Sequence, residues 1–181
     1  MIRRVTIAAL LSLTCCADDS VEAPTPEPPP SSGAWANPFD WQVADVDPFA
    51  ETRPEGADCD PESHGAEELG GVWVYSIETE ACHWLTLSQP TALPAAIGDH
   101  VQVSVWHFAL TAAEPATALV GLAVADGVLV TMEEAIPAEG RLLILDHVLV
   151  DPIPAGTDLY FHLQNHGANS WHLVEVNINP E

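Results

Sequence analysis

The sequence contains no lysine, and its four arginines stand against 27 aspartates and glutamates, a formal net charge of −23 over 181 residues. Arg3 and Arg4 lie in a segment with the character of a cleavable leader, which leaves Arg53 and Arg141 as the cations of a mature chain that keeps all 27 acids. Affinity for nucleic acid rests on Lys and Arg displacing counterions from phosphates, so DNA and RNA are excluded as ligands. Without lysine there is no amine for Schiff-base chemistry, and GxSxG, HExxH, CxxC and Gly-rich phosphate-loop motifs are absent as well. The longest apolar run near the N-terminus, Val5 to Thr14, has ten residues, about half of what a helix needs to cross a bilayer. Helix signals are scarce, the best being ESHGAEEL at 62–69, which Gly65 interrupts.

What is present at the N-terminus reads as an export address. MIRRVTIAALLSLTCC places two arginines before the apolar run and two cysteines after it, the organisation of a secretory signal. Leu13, Thr14, Cys15 and Cys16 resemble a bacterial lipobox with Cys16 as the lipidated residue, because leucine then falls three positions upstream; Cys15 is the alternative acceptor. Each buried acyl CH₂ contributes about 0.8 kcal/mol, so a multiply acylated Cys16 would hold even this acidic chain on a membrane. The expected location is the cell envelope, on the outer membrane or cell surface, with a periplasm-facing orientation also open. Five of the seven residues from Pro24 to Pro30 are proline, a composition that favours an extended polyproline rod. The resulting division is 1–16 signal peptide, 17–57 acidic proline-rich tether with an aromatic arm, and 58–181 folded domain. The arm, Trp35 to Phe49, carries Trp35, Phe39, Trp41 and Phe49 and is read as packing its rings on the domain, with partner docking as the alternative.

Cys59 and Cys82 remain once the leader is set aside, and a pair in an exported chain is most simply a disulfide. With 22 residues between the partners, it is worth about 3 kcal/mol in the chain-entropy model. The acidic run Asp58 to Ser63 fails the calcium-loop template, since Ser63 and Leu69 stand where glycine and a bidentate glutamate are required.

From Gly70 onward the pattern is strand after strand. Val101, Val103, Val105, His107 and Ala109 alternate with Gln102, Ser104, Trp106, Phe108 and Leu110, a period of two. Similar runs occupy 71–79, 82–88, 117–125, 127–131, 141–150, 157–163 and 170–178, separated by Gly-containing turns. About eight strands predict an all-β fold, an antiparallel β-sandwich of jelly-roll or Greek-key type.

The chemistry of side chains points in two directions. Three of the eight histidines fall in FHLQNHGANSWHL, residues 161–173. If 160–164 and 170–178 form a hairpin, His162 faces His172 with Cβ atoms about 5 Å apart and His166 stands at the tip. With His107 or an acid as a further ligand that set suits Zn²⁺ or Cu²⁺; if the two strands lie on opposite sheets, the pair vanishes and the histidines are core or rim residues. Trp73, Trp84, Trp106, Trp171 and Tyr160 are candidates for a sugar-stacking platform, or else they fill the core. Adjacent acids such as Glu67 and Glu68 face opposite ways on a strand and do not make a glycosidase dyad, and no residue is assigned a catalytic role.

The runs GDHVQVSVWHFAL at 98–110, PATALVGLAV at 115–124 and IPAGTDLYFHLQNHGANSWHLVEV at 153–176 resemble a group of exported lipoprotein-like β-sandwich proteins of myxobacteria-type bacteria. That group pairs a lipobox leader with a Trp-His strand and a C-terminal NHG loop. The resemblance covers about residues 59–178 and implies architecture and location but no activity. His107, His162 and His166 match its histidine positions, whereas Leu119 and Gln164 stand where other members are expected to carry histidine. The main reading is thus a lipid-anchored β-sandwich with a non-enzymatic binding or envelope-structural role toward a protein or glycan, with no required cofactor. The alternatives are a Zn- or Cu-binding His cluster and a carbohydrate-binding module.

Overall fold

The computed structural model describes residues 33–180. The leader, the proposed lipid acceptor Cys16 and the proline-rich stretch lie outside the described residues.

Among the described residues, eleven strands form two antiparallel sheets packed face to face. The first sheet runs β3 (His64–Leu69), β4 (Val72–Glu78), β11 (Ser170–Asn179), β6 (His100–His107), β9 (Arg141–Val148), with the two-residue β1 (Gly33–Ala34) added to β11. The second runs β2 (Gln42–Val43), β5 (Trp84–Pro90), β10 (Asp158–Gln164), β7 (Ala116–Val124), β8 (Gly127–Ile136). All eight sequence-predicted strands are present. The stretch with the best helix signal is instead edge strand β3, joined to β4 by Gly70 and Gly71, whose φ values of +61° and +89° suit a two-residue hairpin loop that demands positive φ at both positions.

Alternation dictates what each strand buries. In β6, Val101, Val103 and Val105 point inward and are fully buried; Ala118, Val120 and Leu122 of β7, Leu159, Phe161 and Leu163 of β10, and Trp171, Leu173, Val176 and Ile178 of β11 complete the middle of one core. Burying a side chain of this size contributes about 1.5–3 kcal/mol, so the alternation fixes the register: a one-residue slip would turn the whole apolar row to solvent.

The aromatic arm belongs to the folded unit. Trp35 is fully buried and its indole N–H donates to the Leu93 carbonyl at 2.8 Å, while Trp41 and Phe49 are also buried. The folded unit therefore includes the arm upstream of residue 58. Cys59 and Cys82 are joined in a disulfide. The neighbouring acidic run is a capped turn: Asp60 accepts the Glu62 N–H at 2.9 Å at the head of the 3₁₀ turn Pro61–Ser63, an ordinary cap by an aspartate.

The C-terminal strands do not form a hairpin. β10 and β11 lie on opposite sheets, joined by an arch over residues 165–169. Each strand carries its own apolar row, and both rows reach the core when they face each other across it. The arch is cemented by buried amides: Asn165 Nδ2 donates to Thr79 Oγ1 at 2.7 Å, Trp171 Nε1 donates to Asn165 Oδ1 at 3.1 Å, and the Thr111 N–H donates to Asn169 Oδ1 at 2.6 Å. Gly167 adopts φ +94°, and a Cβ there would lie 2.2 Å from the Thr111 carbonyl oxygen. The NHG loop is thus a structural clasp.

Candidate functional site

The two sheets treat their outward faces differently. On the second sheet, the segment from Ala44 to Ala57 lies across β5, β10 and β7. Phe49 stacks on His162 with ring centroids 4.4 Å apart and planes 14° from parallel, and with Trp84, Ala123 and Tyr160 it makes a separate apolar cluster. Gly121, paired with His162 in register, is where the Phe49 ring lands: a Cβ at that position would meet Phe49 Cε1 at 2.7 Å. Beneath the strap runs a chain of polar groups. Thr86 Oγ1 donates to Asp47 Oδ1 and Trp84 Nε1 to Asp47 Oδ2, both at 2.8 Å, so Thr86 is left to accept the Nδ1–H of His162 at 2.9 Å. Burial pushes the His162 imidazole down to about 4, against the opposing pull of Asp47. Burial also acts to raise Asp47, but hydrogen bonds from Trp84, the Phe49 N–H and Thr86, with His162 nearby, hold its carboxyl below the usual range.

The first sheet leaves its outward face open. Register aligns one row across it: Gly65, Ser76, His172, Trp106 and Leu142, on β3, β4, β11, β6 and β9. Trp106 stacks on His172 at 5.0 Å, and Phe108 meets Trp106 edge-on at 4.3 Å and His172 at 5.5 Å. Phe108, Leu142 and Ile144 are 49%, 52% and 48% exposed, apolar surface that no described segment covers. On one side of this row lie Glu67 and Val74, the bulge at Val174, then Glu175, Ser104 and Ile144; on the other lie Glu78 and Ser170. Each carboxylate is held by a serine of a neighbouring strand. Ser76 donates to Glu67, Ser104 to Glu175 at 3.2 Å and Ser170 to Glu78 at 2.6 Å. Ser76 in turn accepts from His172 Nδ1 at 2.8 Å, and burial lowers the pKa of that imidazole against the opposing fields of Glu67 and Glu78. Gln102 and Asn177, opposite each other further along, add amide donors and acceptors.

The arrangement separates the histidines singled out in the sequence. His162 sits on the outward face of the second sheet, His172 on that of the first, His107 between the sheets against Trp171, and His166 is exposed on the arch. His162 therefore pairs with Thr86 and Gly121, and His172 with Ser76 and Trp106, in place of each other. His107 donates Nδ1–H to the Phe108 carbonyl at 2.7 Å. All three buried rings spend Nδ1 this way and leave Nε2 without a protein partner. Among the described residues no group of three or more His, Cys, Asp or Glu converges where a metal ion would sit. The Zn or Cu site from His107, His162, His166 and His172 is corrected accordingly: the arch puts its members on different layers.

The proposed aromatic platform is sorted in the same way. Trp84, Trp171 and Tyr160 are buried; Trp73 is 45% exposed and packs on Phe39 of the arm at 4.7 Å; Trp106 remains half-buried on the open face. Phe108, Glu67 and Glu175 were not singled out from sequence. For Phe108 the signal existed, since it stands two residues from Trp106 opposite the valine face of β6. For the glutamates it did not, because their grouping depends on strand order.

No family model matches the chain, and no curated protein matches it. Among solved structures, the chain is similar to TmCBM61, solved in complex with β-1,4-galactotriose, at 9% identity and TM-score 0.47, covering 83% of this chain and 100% of that one. It is similar to a non-crystalline-cellulose-specific carbohydrate-binding module, CBM28, at 15% identity and TM-score 0.46, with 77% and 97% covered. It is also similar to the K1 cleaved adhesin domain of Lys-gingipain from Porphyromonas gingivalis, at 16% identity and TM-score 0.47, with 83% and 98% covered. At these identities the likeness is one of layered β architecture alone.

Proposed function

We propose that this chain is a non-enzymatic binding module that holds a glycan on the open face of its first sheet, and that a lipid on Cys16 tethers it to the bacterial envelope. The observation that carries the reading is the Trp106–Phe108–His172 group, an aromatic surface standing on an otherwise uncovered sheet and ringed by carboxylates, serines and amides. A sugar ring offers an apolar C–H face and a polar rim. Stacking on Trp106 and Phe108 would satisfy the first, and Glu67, Glu175, Gln102 and Asn177 supply partners for the hydroxyls of the second. The opposite sheet has comparable residues, but its strap occupies the place a ligand would take. The role is one of holding, and no residue of the face is assigned a bond-breaking step.

Titration of the full-length protein with soluble oligosaccharides, read by calorimetry, tests the proposal. Trp106→Ala is expected to weaken a bound oligosaccharide at least tenfold, about 1.4 kcal/mol, with little change in thermal unfolding because the indole is already partly in water. Binding that survives this change undiminished would place the ligand elsewhere.

A further inference from the structure

Resting on the proposed glycan reading, the charge pattern of the open face deepens it. We infer that the glycan taken there is an amino-sugar polymer bearing free amines, and that acidic glycans are turned away.

Three observations carry this. First, the face has carboxylates but, among the described residues, no free cation to match them. Of the two arginines in that range, Arg141 is paired with Glu134, and Arg53 belongs to the strap over the opposite sheet, where it donates to the Ala57 carbonyl at 2.6 and 2.9 Å. The imidazoles of the face are spent as well: His100 lies 3.1 Å from Asp146, and His172 is buried and bonded to Ser76. A uronate or sulfate would meet Glu67, Glu78 and Glu175 with nothing to neutralise it, whereas an ammonium would meet only partners. Second, these carboxylates are positioned. Each accepts one serine hydroxyl through a single oxygen and has no arginine partner, so the other oxygen is available to a ligand donor. Third, they lie on both sides of the aromatic row, Glu175 one strand from Trp106 and Glu78 and Glu67 two and three strands away, so an extended oligosaccharide laid from Trp106 toward β3 would carry successive amines toward carboxylates. An ammonium near the indole face gains further from the ring quadrupole. Beside Trp106 on the same face, the Nε2 of His172 is buried without a protein partner, which leaves an unused polar atom under the aromatic surface.

The experiment compares hexamers of glucosamine, N-acetylglucosamine and galacturonate, with a panel of other neutral hexaoses, by calorimetry on the full-length protein at mildly acidic pH. The glucosamine hexamer is expected to bind at least tenfold more tightly than its acetylated form at low salt, with the preference shrinking at high salt, and the galacturonate is expected not to bind. Glu67→Gln with Glu175→Gln should abolish the preference, bringing the glucosamine and acetylated hexamers to within about twofold of each other, and both residues are exposed. Glucosamine binding that is unchanged in Trp106→Ala would trace to net charge alone and overturn the inference. Neutral or acidic hexamers that bind as tightly through Trp106 would overturn it while leaving the glycan reading standing. No binding by any hexamer would overturn both.

Discussion

Acidification tests the buried polar chain under the strap most directly. His162 is enclosed by Phe49 and Trp84 and bonded to Thr86, and its imidazole is held near 4 in the folded protein against an ordinary value of 6.5. The folded state therefore resists a proton that the unfolded chain accepts. Above pH 6.5 neither state is charged at this position and nothing is lost. Between 6.5 and about 4 the unfolded state alone binds the proton and stability falls as pH falls; below that both bind it and the loss stops growing. Over that window of about 2.5 pH units, at 1.36 kcal/mol per unit, the loss is about 3 kcal/mol, a large share of the 5–15 kcal/mol typical of a domain. Urea unfolding from pH 7 to pH 4 should be followed for the natural protein and for His162→Gln, whose amide can still donate to Thr86. Distant carboxylates and the other histidines titrate in both and cancel in the difference, and Asp47, coupled to His162 but held below the usual carboxylate range, stays largely ionised through the window. The natural protein is expected to lose about 3 kcal/mol relative to the variant across the window. A difference that stays flat with pH would refute the enclosure of His162 and, with it, the strap as a packed element.

Other perturbations reach separate parts of the architecture. Gly121→Ala places a Cβ into the Phe49 ring and is expected to cost about 1–3 kcal/mol as overpacking; Phe49→Leu in the same chain should recover part of it, as a double-mutant cycle would show. Asn165→Ala removes the donor to Thr79 and strands the Trp171 N–H, so a loss of at least about 2 kcal/mol in chemical unfolding is expected, whereas His166→Ala, exposed on the same arch, should change stability by less than about 0.5 kcal/mol. Cys16→Ser is expected to move the protein from the membrane fraction to the soluble fraction of a bacterial host; persistence on the membrane would remove the lipid on Cys16 from the proposal, and persistence after Cys15→Ser with Cys16→Ser would remove the lipid anchor altogether.

Strand positions were legible because burial is decided locally. Val101, Val103 and Val105 announce an inward row whatever lies beside them, and the same holds for the rows of β7, β10 and β11. Pairing is a different matter. FHLQ and WHLVEV are each good strands, and a five-residue loop between them suits a hairpin as well as an arch. What decides is that both rows need the same core, together with the Asn165, Thr79 and Thr111 bonds that reach 86 and 58 residues along the chain. Those contacts have no signature in the 161–173 segment itself. The metal reading failed for that reason: it was a statement about register across a pair that does not exist. The arm was readable in part. Its rings promised contact with the domain, but the glycine that receives Phe49, Gly121, looks in sequence like a weak point in a strand and shows its use only when the strap is laid over it.

The two outward faces carry nearly the same device, and the difference between them locates the function. Asp47, Thr86 and His162 on one sheet and Glu67, Ser76 and His172 on the other are each a carboxylate, a hydroxyl and an imidazole in sequence, with the hydroxyl and imidazole directly cross-strand. In both, the hydroxyl gives its proton to the acid and accepts from Nδ1, burial lowers the pKa of the ring, and Nε2 is left without a protein partner. On the second sheet an aromatic from the chain itself, Phe49, lies flat on the imidazole and the carboxylate comes from the strap, which closes the face permanently. On the first sheet the stacking ring, Trp106, stands beside the imidazole in the same sheet and the carboxylate comes from an edge strand, so the volume above remains free. If stacking on a flat ring is what the covered face needs from Phe49, the uncovered face needs the same from outside. A ligand with an apolar side and hydrogen-bonding edges, seated on Trp106 and Phe108, would complete it as the strap completes its counterpart.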